Sequence, residues 1–219
     1  KLGSEFLVNT TTEGGQSRPS TTALSNGRFL ITWTDFSDPS GDVRAQLFGS
    51  DGIKVGPEFV VNSNTLSTQW DSTIVTLSDG GFVVAWTDAF VGGIRAQMFS
   101  PDGTKSGVEL AVNTTVGSDP ITLNSRSEPS ITALSDGGFV VAWTDFANGG
   151  DTNGAAVVAQ AFTSDGTKIG LEFLVNTTIQ GAQQTPSITA LSDGRFVVVW
   201  RDDSQTGEDT SGEAVRAQV

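Results

Sequence analysis

Cysteine, histidine and tyrosine are all missing from this 219-residue chain, and methionine occurs once. Without cysteine there is no disulfide framework and no thiol chemistry. Without histidine there is no Ser-His-Asp or Cys-His nucleophilic system and no zinc site of the ordinary kind. Tyrosine-based schemes go too, so only carboxylates remain as acid/base groups. These recur about once per repeat, the pattern of a structural residue, and the sequence alone reads as a protein that is not an enzyme. Basic residues are scarce, 12 against 25 acidic ones, for a net charge of −13. Such a surface repels nucleic acid and anionic headgroups. No apolar run approaches the roughly 20 residues of a membrane-spanning helix, so membrane insertion is not expected. No window sustains the i, i+3, i+4, i+7 apolar spacing of an amphipathic helix.

What is abundant is a repeat. Pro129 to Asp145, PSITALSDGGFVVAWTD, returns as PSTTALSNGRFLITWTD from Pro19, DSTIVTLSDGGFVVAWTD from Asp71 and PSITALSDGRFVVVWRD from Pro186. The anchoring tryptophans, Trp33, Trp86, Trp143 and Trp200, lie 53, 57 and 57 residues apart. Each unit reads as four short strands. In the third unit the first is Ser130–Leu134 and the second Phe139–Trp143. The third strands are Val43–Phe48, Ile94–Phe99, Val157–Phe162 and Val215–Val219. The fourth are Glu5–Asn9, Glu58–Asn62, Glu109–Asn113 and Glu172–Asn176. Ser135-Asp136-Gly137 and its copies, and Asp51-Gly52, Asp102-Gly103 and Asp165-Gly166, supply the glycine that tight hairpin turns require.

The second strand is apolar on both faces, as in Phe82 to Trp86, and must be covered on both. The third alternates and is expected nearer solvent. Four-stranded units of about 50 residues stacked face to face are the mark of a β-propeller. The expectation is an all-β fold, a four-bladed β-propeller of four-stranded antiparallel blades, with the N-terminal strand completing the last blade and removing its open edge. That makes residues 1–219 a single domain, with repeat units of approximately 10–62, 63–113, 114–176 and 177–219 plus 1–9.

Length varies in two connections, strand four to strand one and strand two to strand three, which emerge on the same face. Variable loops on a rigid scaffold are where binding usually resides. These loops and the strand ends beside them carry Asp35, Asp38 and Asp42; Asp145 and Asp151; and Asp202, Asp203, Glu208 and Asp209. Acidic residues interleaved with Gly, Ser and Asn can supply the roughly six to eight oxygens that calcium takes, so all nine are candidate calcium ligands. Solvated acidic turns are the alternative, with Asp accepting from backbone amides. The four repeated tryptophans read as packing residues. Trp70, in a polar stretch at the position of Arg18, Glu128 and Thr185, is the candidate ligand contact. Phe36, Phe90 and Phe146 would mark a partner surface if the repeats serve only assembly.

The combined EFLVN, PSITALSDGGFVVAWTD and AQ-F segments resemble a repeat of large secreted bacterial proteins of the RTX and adhesin type, over essentially the whole chain. The resemblance implies a secreted or cell-surface setting and adhesion as the task. Calcium stays a candidate cofactor on the strength of the acidic loops, since the regular Asp/Gly/Ser run of the family is degraded to Asp38-Pro-Ser-Gly-Asp42 in one unit and absent from the second. The expected function is therefore a non-catalytic extracellular binding or adhesion module, with an extracellular glycan or protein as partner. A structural assembly repeat and a carbohydrate-binding lectin are the alternatives.

Overall fold

A computed structural model describes residues 3–114, 126–146 and 154–219 of the chain. The fold is all-β, a four-bladed β-propeller of antiparallel sheets, with no helix among the described residues. Blade 1 is β1 (Gln16–Ala23), β2 (Phe29–Asp35), β3 (Asp42–Phe48) and β4 (Lys54–Val60). Blade 2 is β5 (Gln69–Thr76), β6 (Phe82–Asp88), β7 (Gly93–Phe99) and β8 (Lys105–Ala111). Blade 3 is β9 (Arg126–Ala133), β10 (Phe139–Asp145), β11 (Ala156–Phe162) and β12 (Lys168–Leu174). Blade 4 has three strands, β13 (Gln183–Ala190), β14 (Phe196–Asp202) and β15 (Ala214–Gln218). Strands pair in chain order within each blade, and the first strand of each is innermost, β1 packing on β5, β5 on β9 and β9 on β13.

The hairpins form where the Ser-Asp-Gly segments place them. Leu77 N–H donates to Gly81 O at 2.8 Å, and the Asp79 carboxylate accepts from Gly81 N–H at 2.9 Å. Gly80 turns the chain with φ of 87°, which a side chain would resist.

The core lies between blades. All seven residues of β6 and of β10 are buried, because each strand is sandwiched between neighbouring sheets. Trp86 and Trp143 are fully buried, and Trp33 and Trp200 nearly so, which makes them packing residues. Stacked pairs Phe82–Phe99 and Phe139–Phe162, both with centroids 4.8 Å apart, close the far end of their blades.

Two sequence expectations need correction. The third strands are not near solvent; β3, β7 and β11 are mostly buried, and the fourth strands take the exposed position. The reason is visible in the repeated Ala-Gln pair. Gln97 Nε2 turns inward and donates to Met98 O at 3.0 Å and Ser106 O at 3.1 Å, where the β7–β8 register shifts. Gln46 and Gln160 do the same in their blades. The glutamine thus satisfies carbonyls that a bulge would otherwise strand. Second, the N-terminal strand does not complete the last blade. Residues 5–9 are not part of the β13–β14–β15 sheet. Phe6 instead packs on Phe48 of blade 1, centroids 5.4 Å apart.

Candidate functional site

Four equivalent residues, one from each innermost strand, converge on the propeller axis: Arg18, Asp71, Glu128 and Thr185. They line a single cavity of about 380 Å³ together with Pro19, Ser72, Pro129 and Pro186, the residues that follow them. Each sits at positive φ, 53°, 55°, 57° and 54° respectively. Each also lies where the first strand slips register against the second, between Ser17 and Ser20, Trp70 and Thr73, Ser127 and Ser130, and Gln184 and Ser187. The bulge re-aims one side chain per blade towards the axis. Left-handed backbone costs a non-glycine residue of order 1–3 kcal/mol. Four such residues at one level of the fold, all facing one cavity, mark a built site.

The chemistry at the four positions differs. Arg18 forms an ion pair with Asp71. The Glu128 carboxylate accepts from Thr144 Oγ1 at 2.8 Å and from the Thr185 amide at 3.1 Å. The Thr185 amide also lies 3.0 Å from Thr144 Oγ1, so hydroxyl, amide and carboxylate close a small network. Asp71 and Glu128 thus present two carboxylates to one cavity, one beside a guanidinium and the other held by neutral donors. Hydroxyl contacts tie neighbouring blades together below them, Ser72 Oγ of β5 to Thr32 Oγ1 of β2 at 3.0 Å and Ser130 Oγ of β9 to the Ile188 amide of β13 at 3.1 Å. These fix the spacing of the inner strands that carry the site.

The acidic residues singled out from the sequence lie elsewhere. Asp35, Asp145 and Asp202 are the last residues of β2, β10 and β14 and are buried. Each meets a basic side chain from its own blade. Arg44 Nε lies 2.5 Å from Asp35, Arg126 Nε 3.1 Å from Asp145 and Arg216 Nε 2.5 Å from Asp202. Burial raises the Asp202 pKa, yet hydrogen bonds from Ser204, Arg216 and Gln183, with the Arg216 charge, hold it below the usual carboxylate range. Asp42 accepts from Asn62 Nδ2 at 2.7 Å. Asp38 caps its turn, accepting from the Ser40 hydroxyl and amide, which hold its pKa low. Asp209 accepts from the Ser211 amide in the manner of a turn cap, and Asp203 accepts from the Ala182 amide across to the preceding connection. Glu208 is exposed, and Asp151 lies outside the described residues. Among the described residues no three carboxylates gather as a metal cluster would require.

Trp70 is one residue out of place. It pairs with Thr87 and aligns with Ser17, Ser127 and Gln184, so the residue equivalent to Arg18, Glu128 and Thr185 is Asp71. Trp70 is half-buried beside the axial residue and does not line the cavity. Phe36, Phe90 and Phe146 are exposed, one in each of blades 1 to 3 and one or two residues after the buried Asp, at the end of the blades where the axial residues lie. Among the described residues no helix is long and apolar enough to cross a membrane.

No family model and no curated protein sequence matches the chain. Solved structures do. A GH93 α-L-arabinofuranosidase of Fusarium graminearum in complex with arabinobiose matches 96% of this chain at 14% identity and a TM-score of 0.67. An α-L-arabinanase of Penicillium chrysogenum complexed with arabinobiose matches 93% at 19% identity and a TM-score of 0.66. An endo-arabinase from Bacteroides thetaiotaomicron matches 97% at 15% identity and a TM-score of 0.55. The chain spans 64%, 62% and 78% of those three proteins. The propeller architecture is therefore shared with glycoside hydrolases, which overturns the reading of this chain as a non-catalytic adhesion module and the exclusion of catalysis that went with it. Identities this low speak for the fold alone.

Proposed function

We propose that the chain is a carbohydrate-active propeller that binds a glycan over its axial cavity and cleaves a glycosidic bond there. One observation carries this reading: Asp71 and Glu128 are brought to the same cavity by strained backbone that the fold repeats in every blade. Hydrolysis of a glycoside needs two carboxyl groups flanking the bond, one to protonate the leaving oxygen and one to activate water or attack the sugar. In a chain without histidine, cysteine or tyrosine, carboxylates are the side chains left for that work. Arg18 orients Asp71 through their ion pair. Thr144 and the Thr185 amide hold Glu128. An open, polar cavity suits a ligand rich in hydroxyl groups.

Arabinose-containing oligosaccharides are the first substrates to offer, since the arabinofuranosidase and the arabinanase with this fold are complexed with arabinobiose. The secreted-protein resemblance of the repeat agrees with a substrate met outside the cell. The test is release of reducing ends from a panel of arabinans, xylans and their oligosaccharides. Turnover of at least one, abolished by excess of its product, supports the reading. No turnover and no binding across the panel refutes it.

A further inference from the structure

Three contacts between blades share one design. Phe82, Val84 and Trp86 of β6 pack on Leu30 and Ala45 of the preceding blade. Blades 3 and 4 repeat the arrangement on blades 2 and 3. Among the described residues two sheet faces have no such partner. One is the Phe29 and Ile31 face of blade 1; the other is the Val197 and Val199 face of blade 4, all four residues only half-buried. Val215 of β15 is 83% exposed, whereas its counterparts Val43, Ile94 and Val157 are fully buried. β13 does not pack on β1 as the other inner strands pack on one another. Among the described residues no hydrogen bond or ion pair links blade 4 to blade 1.

Residues 6–10 show what belongs between them. Phe6 meets Phe48 at 5.4 Å and 51°, as Phe59 of β4 meets Phe99 at 5.7 Å and 52°. Lys54 Nζ donates to Asn9 O at 3.3 Å, as Lys105 Nζ donates to Asn62 O at 3.2 Å. Glu58 accepts from the Thr10 amide at 2.6 Å, as Glu109 accepts from Ser63 at 2.9 Å. Residues 6–10 therefore stand to blade 1 as the end of β4 stands to blade 2. They occupy the outermost position of a blade that would precede blade 1, and the three inner positions of that blade are open. The edge of β15 is open as well, where β4, β8 and β12 cover β3, β7 and β11. Because β1 and β13 still line one cavity with β5 and β9, the opening is a wedge between two blades that share one axis.

We propose that this wedge receives one further blade of the same repeat. Its fourth strand would pair with β15. Of its other three, the third would pair with residues 6–9, and the second would place a Phe-x-Val-x-Trp face on Val197 and Val199 and a Val-x-Ala face on Phe29 and Ile31. The added inner strand brings a fifth residue to the axial cavity and closes it. This inference stands on packing alone and does not depend on glycan chemistry.

Amide hydrogen exchange reads it without any substitution. Val43, Ile94 and Val157 amides donate to Asn62, Asn113 and Asn176 Oδ1 at 2.9, 2.8 and 2.8 Å. Val61, Val112 and Val175 amides donate to Val43, Ile94 and Val157 carbonyls at 2.8, 3.0 and 2.8 Å. The counterparts Val215 and Val8 have no such partner across the wedge, so they should exchange freely in this chain. In a chain carrying a second copy of residues 48–98 after Val219, both should become protected and the melting temperature should rise by about 5 °C or more. Protection of both in the unextended chain at every concentration would mean the four blades close on themselves. Protection that appears only as concentration rises would mean a second copy fills the wedge. Extension without protection would leave the wedge unfilled. Any of these three overturns the proposal.

Discussion

Truncation of one valine at matched positions gives a quantitative test of which blade faces are covered. Val83 of β6 and Val197 of β14 are the same residue of the repeat. Val83 is fully buried in the core between blades 2 and 3, while Val197 is half-buried on the outer face of blade 4. Valine to alanine removes two methyl groups, worth about 1.6 kcal/mol at roughly 0.8 kcal/mol per buried carbon. At Val83 neighbouring sheets cannot collapse into the space, and the cavity left brings the loss to about 2–3 kcal/mol. At Val197 half of the transfer free energy was never gained and no closed cavity forms, so the loss stays below about 1 kcal/mol. The intrinsic preference for valine in a strand is common to both sites and cancels in the difference. Denaturant unfolding of the two variants and the parent, with m held common, measures this directly. Val140→Ala, at the equivalent buried site of blade 3, should match Val83→Ala. Equal losses at Val83 and Val197 would refute the uncovered face.

Other sites give separate expectations. Arg126→Ala should cost about 3–5 kcal/mol in thermal or denaturant unfolding, because it leaves the buried Asp145 carboxylate without its guanidinium. Gln97→Leu should cost about 1–3 kcal/mol by stranding the Met98 and Ser106 carbonyls at the bulge, although leucine fills a similar volume. The pKa of Glu58 is raised by burial and lowered further by Thr11, Thr10 and Arg44, so that it lies below its ordinary 4.5; Asp202 likewise lies below its ordinary 3.8. Folded pKa values below unfolded ones mean the unfolded chain binds more protons, so their stabilisation is present above about pH 4.5 and drains away as pH falls further. Melting temperature should therefore fall on acidification below that pH, and Glu58→Gln should flatten the fall; an unchanged acid profile in the variant would contradict the assignment.

Much of the fold was legible because geometry and residue type repeat together. Gly27, Gly80, Gly137 and Gly194 mark the same turn in every unit, and Trp33, Trp86, Trp143 and Trp200 the same buried position. The axial site was hidden because its geometry repeats while its residue type does not: arginine, aspartate, glutamate and threonine share one bulge. A faint signal existed in the proline after Arg18, Glu128 and Thr185, which restricts the backbone before it. Blade 2 has Ser72 there, so its sequence does not distinguish Asp71 from Trp70 as the axial residue. The buried aspartates looked like ligands because their partners, Arg44, Arg126 and Arg216, come from neighbouring strands whose register no single segment reveals. The placement of residues 6–10 depends on contacts with blade 1, made by Glu58 and Lys54 far along the chain.

The most direct test of the account compares glycan turnover by the unaltered protein with that by Glu128→Gln and Asp71→Asn, each first shown to melt as the parent does. Both residues face the axial cavity away from the blade cores, so their loss should spare the fold. Turnover should fall by about 10²–10⁴-fold in each while oligosaccharide binding persists, the loss expected when a positioned acid or base is removed. Turnover that survives either substitution within a few fold would contradict the axial site as the seat of the chemistry.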